Sequence, residues 1–143
     1  MAKAVRFHEF GGPDVLRLDE VAVEEPGAGD VRIRVGAVGL NRVETLFRNG
    51  WFMPVQTFPS RIGYEAAGVI EALGPGVSGW QVGDRVAVLF GLSMEQYGTY
   101  AEQLVYPADM LVRVPDGVSL TEAAASWMQY GTAYALINVA DIG

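Results

Sequence analysis

The chain has 143 residues, 50% of them hydrophobic and 19% charged, with no cysteine, one histidine and a net charge of -7. This composition is that of a globular chain with a real core, which at such a length hides about 68–70% of the surface exposed on unfolding, and it excludes disorder. It also excludes a disulfide framework, a thiolate metal site and a catalytic thiol, and the acidic balance argues against nucleic acid or an anionic membrane as partner.

In chain order, Lys3 to Phe7 reads as a first strand, and Gly11 to Asp14 as a turn. Val15 to Val23 alternates loosely and suits a second strand. After the loop Glu24 to Asp30, the run VRIRV alternates cleanly. Val31, Ile33 and Val35 face one way, while Arg32 and Arg34 face the other, as in a half-buried strand. Val43 to Arg48 reads as a short helix closed by Gly50. Tyr64 to Leu73, Gly83 to Phe90, the stretch around GTYAEQLVYPAD, and Leu111 to Val114 read as further strands at glycine-rich corners. Short strands at this spacing predict a small barrel or sandwich.

The pattern changes after Pro115. Ser119 to Glu122 is S-x-x-E, a capping box, followed by three alanines that favour helix. Gly131 is expected to break that helix, with Thr132 capping a second one through Ala133 to Val139. The first ten residues carry no apolar leader, and no apolar run approaches the ~18 residues of a membrane span. The default location is therefore cytoplasmic.

Three stretches carry a family resemblance: GGPDVLRLDEVAVEEPGAGDVRIRVGAVGLN, GYEAAGVIEALGPGVSGWQVGDRVAV and GTYAEQLVYPADMLVRVPDGVSLTEAAA. In this order they resemble the N-terminal, GroES-like catalytic domain of the medium-chain dehydrogenase/reductase superfamily. The resemblance implies a mainly β fold with α-helices, a bent β-barrel over residues 1–126. The helices then lead into a truncated Rossmann domain beginning at 127–143. Zinc-dependent members carry a ligand pair His-Glu where this chain has Tyr64–Glu65, and a ligand cysteine where it has Asn41. Zinc at a catalytic site takes three protein ligands from thiolate, imidazole or carboxylate, and Asn41 and Tyr64 offer neither thiolate nor imidazole. What remains is similar to the zinc-independent quinone oxidoreductase (zeta-crystallin-like) branch, in which an asparagine is followed by an acidic residue, here Asn41 and Glu44.

The resemblance implies a reductase using NADP or NAD, without zinc, that delivers hydride to a quinone or an α,β-unsaturated carbonyl. Residues 1–143 on their own are expected to be inactive. Asn41 and Tyr64 are the candidate catalytic residues. Asn41 borders the nicotinamide and substrate, or it satisfies local backbone as a turn residue. Tyr64 donates its phenol proton to an oxygen gaining charge, its ordinary pKa of ~10 keeping it protonated, or it is a hydrogen-bonded core tyrosine. Trp51 and Phe52 are the candidate substrate-stacking residues, or ordinary core. Gln129 and Thr132, with Asn41, are the candidate cofactor contacts. Glu65, buried and unpaired, would be costly, so it is expected to meet a basic or donor partner and to serve a structural role between domains. Arg61 reads as a surface cation and His8 as an ordinary first-strand residue. The apolar surface of Trp127, Met128, Leu136 and Ile137 predicts either folding back on the barrel or a homodimer. A non-enzymatic binding or scaffold module on the same barrel is the alternative, since fold alone does not fix function.

Overall fold

The computed structural model describes residues 1–139. Eight strands and four helices follow in order: β1 (Ala2–Phe7), β2 (Leu16–Val21), β3 (Asp30–Gly39), α1 (Arg42–Arg48), β4 (Ser60–Arg61), β5 (Glu65–Leu73), β6 (Arg85–Val88), α2 (Met94–Tyr97), β7 (Gln103–Pro107), β8 (Leu111–Arg113), α3 (Leu120–Ala124) and α4 (Trp127–Val139). The expected mainly β fold with helices is present. The strands form two sheets, β2-β1-β4 and β7-β3-β5-β6-β8, and hydrogen bonding does not close them into one barrel. The sheets meet where Ala4 pairs with Ala101, so their junction is a short bridge.

The alternation in β3 explains the larger sheet. Val31 and Ile33 are buried, and with Ile70, Val86, Val88, Leu104 and Tyr106 they make its core. Side chains of this kind each contribute roughly 1.5–3 kcal/mol when removed from water. A second cluster, Phe7, Phe47, Ile62, Tyr64 and Met94, joins the small sheet to α1 and α2. Phe7 and Phe47 meet edge to face, with ring centroids 5.6 Å apart. This cluster seats Tyr64, which is 9% exposed, with an apolar body under a polar tip.

One pairing decides where a site can form. β3 runs antiparallel to β5, with Gly39 opposite Glu65. The end of β3 therefore lies beside the start of β5, and Asn41 and Tyr64, 23 positions apart in the chain, come together. The register between the two strands steps twice, between Arg32 and Ile33 and at Gly36. α3 crosses this end of the sheet, and a methyl group on Gly39 would meet the carbonyl oxygen of Ala124 and the Glu65 side chain. Glycine here admits the helix and the carboxylate together.

The capping box at α3 is as read: Glu122 N–H donates to the Ser119 hydroxyl at 3.2 Å, and Ser119 N–H donates to the Glu122 carboxylate at 2.8 Å. The break at Gly131 is not present. α4 runs through it without interruption, and the break falls at Ala125–Ser126 instead. Gly131 faces Phe90, whose ring would stand 2.8 Å from an added methyl group. A close approach explains this glycine, at a helix cost of about 1 kcal/mol relative to alanine. Beyond its first turns α4 does not fold back on the sheets: Tyr130, Tyr134, Leu136, Ile137 and Val139 are all exposed. The remainder of the expected 127–143 segment, 140–143, lies outside the described residues.

Gly39→Ala is expected to destabilise the chain by about 1–3 kcal/mol, the usual cost of overpacking, because both neighbours are fixed. Urea denaturation of the variant beside the parent checks this. Equal midpoints would show that α3 can slide off the end of β3.

Candidate functional site

Two carboxylates lie buried where β3, α1 and β5 meet. Glu44 is 4% exposed and Glu65 is 1% exposed, and neither forms an ion pair among the described residues. An unpaired buried charge is costly. Here hydrogen-bond donors stand in for cations.

Glu44 sits in the first turn of α1. Its Oε2 accepts from the N–H of Asn41 at 2.7 Å, as the Glu of a capping box does, and also from the Tyr100 hydroxyl. Its Oε1 accepts from the N–H of Tyr64 at 3.1 Å. One side chain therefore holds the backbone at both candidate catalytic positions.

Glu65 opens β5. Its Oε2 accepts from the Asn41 side-chain Nδ2 at 3.0 Å, and its Oε1 accepts from the N–H of Met128 at 2.5 Å. Met128 is in the first turn of α4, where unpaired N–H groups and the helix dipole favour a negative charge. The Thr99 hydroxyl donates to the Glu65 backbone carbonyl at 3.0 Å. Glu65 thus has donor partners, as its burial requires, and they are an amide and a helix terminus.

Tyr64 is the one polar tip here without a strong partner. The hydrogen bond that the structure gives its hydroxyl is to the thioether of Met53, at 3.9 Å, a weak acceptor. Burial, then the negative charge of Glu44, pushes its pKa above the ordinary tyrosine value. Tyr100 is pushed up strongly for the same first reason, reinforced by its hydrogen bond to Glu44 and by the charges of Glu44 and Glu65. Both phenols hold their protons through neutral and mildly alkaline pH. Tyr64 is therefore a standing hydrogen-bond donor and a poor source of a proton.

The other sequence-derived candidates divide. Asn41 belongs to the cluster, but one of its amide hydrogens goes to Glu65, which leaves its second N–H and its carbonyl oxygen for anything outside. Trp51 and Phe52 are 78% and 40% exposed, which rules out the core-packing alternative. They lie on the loop after α1 that carries Met53 to Tyr64. Gln129 and Thr132 are exposed and one turn apart on α4, whose first turn Glu65 holds against the cluster. His8 lies just past β1, 2.9 Å from Asp19, and Arg61 pairs with Glu24 at 3.2 Å, both away from the cluster. Among the described residues, no group of three or more His, Cys, Asp or Glu side chains could hold a metal ion. Of the three residues that stand where zinc-dependent members carry ligands, Asn41, Tyr64 and Glu65, the carboxylate of Glu65 accepts from the Asn41 side chain and from the N–H of Met128. Sequence reasoning did not identify Tyr100, Met53 or the anchoring work of Glu44. The last had a signal: Asn41-x-x-Glu44 has the same spacing as the capping box recognised at Ser119.

Residues 27–116 match the alcohol dehydrogenase GroES-like domain. The chain is 42% identical over 125 residues to a quinone oxidoreductase of Pseudomonas aeruginosa, covering 87% of this chain and 37% of that protein. It is 39% identical over 124 residues to a 2-haloacrylate reductase of a Burkholderia species, covering 85% of this chain and 36% of that protein. Among solved structures it is similar to Escherichia coli quinone oxidoreductase complexed with NADPH, with a TM-score of 0.84, 31% identity, and coverage of 95% of this chain and 40% of that one. The chain thus spans about two fifths or less of the length of these relatives.

The raised tyrosines give a signed pH dependence. A folded pKa above the unfolded value of ~10 contributes stability that is whole below pH ~10 and is lost as pH rises beyond it. Urea denaturation between pH 8 and 11 should show stability level at first and falling above about 10, with a shallower fall in Tyr100→Phe. An identical decline in that variant would remove Tyr100 as a contributor.

Proposed function

Given that the chain belongs to the alcohol dehydrogenase GroES-like domain family of the medium-chain dehydrogenase/reductase superfamily, we propose that it is the catalytic part of a zinc-independent NAD(P)H-dependent reductase of quinones or α,β-unsaturated carbonyls. On this reading residues 1–126 form the substrate domain, and 127–143 begin the nucleotide-binding one. The observation that carries the reading is the Tyr64 phenol. It is protonated, fixed by its backbone and by the Phe7–Met94 cluster, and directs its hydrogen bond to a thioether.

When bound, the nicotinamide supplies a hydride. Tyr64 donates a hydrogen bond to the substrate oxygen on which negative charge then collects. Such a donor counts most where charge develops in a dry, preorganised setting. Its raised pKa keeps the proton on Tyr64, so the proton that completes the product comes from solvent. The free N–H of Asn41 is a second donor to that oxygen or to a water beside it. Its carbonyl oxygen, with the side chains of Gln129 and Thr132, offers polar contacts to the carboxamide edge of a nicotinamide. Exposed Trp51 and Phe52 supply flat apolar surface for a planar substrate. The similarity to a quinone oxidoreductase and to a 2-haloacrylate reductase supports this substrate class. Glu44 and Glu65 are positioning residues, held by the backbone and side-chain donors around them. A second copy covering the apolar length of α4 completes the reading, and light scattering of the purified protein should show a dimer.

In the full-length protein, Tyr64→Phe and Asn41→Ala should each lower kcat/KM for a quinone by about 10–100-fold. That is less than the 100–1000-fold of an indispensable oxyanion donor, because water substitutes in part. Tyr64→Phe should unfold near the parental temperature and Asn41→Ala at a lower one, because Glu65 loses a donor, with kinetics compared where both are folded. Elemental analysis should find no stoichiometric zinc. Parental kinetics in both, with activity lost only in Trp51→Ala, would mean that stacking and not polar assistance governs the rate.

A further inference from the structure

The loop between α1 and β4 carries Trp51, Phe52 and Met53 on an exposed path, yet it is not loose. Met53 has φ +56°, a left-handed conformation that a side chain other than glycine rarely holds unless its surroundings impose it. Glu95, on the short helix α2, holds the far end of the same loop. Its Oε1 accepts from the N–H of Thr57 and from the Thr57 hydroxyl, both at 2.7 Å, and its Oε2 accepts from the N–H of Gln56 at 3.0 Å. Those contacts span 38 and 39 positions of sequence. The helix presenting Glu95 is itself anchored, because its neighbour Met94 is fully buried in the cluster that seats Tyr64. Val55, between the two ends, packs against the same cluster. The loop is thus tied at Gln56 and Thr57, pressed down at Val55, and delivers the Met53 thioether to the Tyr64 hydroxyl.

We infer that Glu95 is a positioning residue: its carboxylate fixes the 51–57 loop over Tyr64, and so sets how tightly a planar carbonyl compound is held against Trp51 and Phe52. The inference rests on the reading of that loop as the substrate-facing surface. Glu95 touches no reacting atom. A carboxylate is needed because three donors converge on it and it has only acceptors to offer. Glutamine would still accept at one oxygen but would turn an N–H toward one of the two backbone donors.

Amide hydrogen exchange and binding of 1,4-naphthoquinone, followed by the Trp51 indole N–H resonance, test this without cofactor or turnover. In Glu95→Ala, exchange at Gln56 and Thr57 should quicken at least about tenfold as local opening becomes easier. The naphthoquinone Kd should rise about 3–10-fold as the ordering of the loop is paid for on binding. Glu95→Gln should keep protection at Thr57 and lose it at Gln56, a split that a general loss of folding would not produce. Unchanged exchange at both amides in Glu95→Ala would overturn the inference. So would a freed loop with the parental Kd, or a parent that does not bind naphthoquinone at Trp51. Failure of the reductase reading would show separately, as no NADPH consumption by the full-length parent with any quinone or enone.

Discussion

The structure turns on the Glu65 carboxylate. It is almost wholly buried, and it joins three segments that are distant in sequence: the end of β3 through the Asn41 amide, the start of β5 on which it sits, and the first turn of α4 through the N–H of Met128. Burying a carboxylate costs several kcal/mol even after relaxation. Two hydrogen bonds to a charged acceptor contribute about 1.5–3 kcal/mol each, and a helix terminus adds up to about 2. The sums are of the same size, so the charge is tolerated here because both donors and the helix end are in place together. Removing either one leaves the remainder short, which couples the position of α4 to the position of Asn41.

Glu44 repeats the device one step away, with the N–H groups of Asn41 and Tyr64 and the Tyr100 hydroxyl as donors. Two carboxylates beside one buried and one partly buried phenol have a chemical consequence. Both tyrosines are raised, Tyr64 by burial and by Glu44, Tyr100 by burial and by both carboxylates. Burial, and then the same Glu44 carboxylate that locates Tyr64, therefore make it a better-kept donor and a worse acid. The cluster thus presents a phenol and an amide held by carboxylates.

Much of this could be read from the residues. The β3 alternation, the α3 capping box, the short α1 helix and the demand of Glu65 for a partner all follow from spacing and burial cost, and all are present. What could not be read has a common cause. The partner of Glu65 at Met128 is a backbone N–H, which every residue but proline carries and no sequence marks. The glycine at 131 inside a continuous α4 answers to Phe90, 41 positions away, which fills the space a methyl group would need. Trp51 and Phe52 have the composition of core residues but stand exposed, on a loop whose far end, at Gln56 and Thr57, is held by Glu95, 39 and 38 positions on in the chain. Closure of the strands into one barrel depends on hydrogen bonds between sheets, and here these reduce to the bridge at Ala4 and Ala101.

The tie between Glu65 and α4 is open to direct observation by the amide proton of Met128 in the parent and in Glu65→Gln. An N–H donating to a carboxylate at 2.5 Å should resonate far downfield and exchange slowly in the parent. In the variant it should move upfield and lose protection, and the side-chain amide of Asn41 should shift with it, because both donors share one carboxylate. A Met128 amide with ordinary shift and rapid exchange in the parent, or one indifferent to the substitution, would contradict the account.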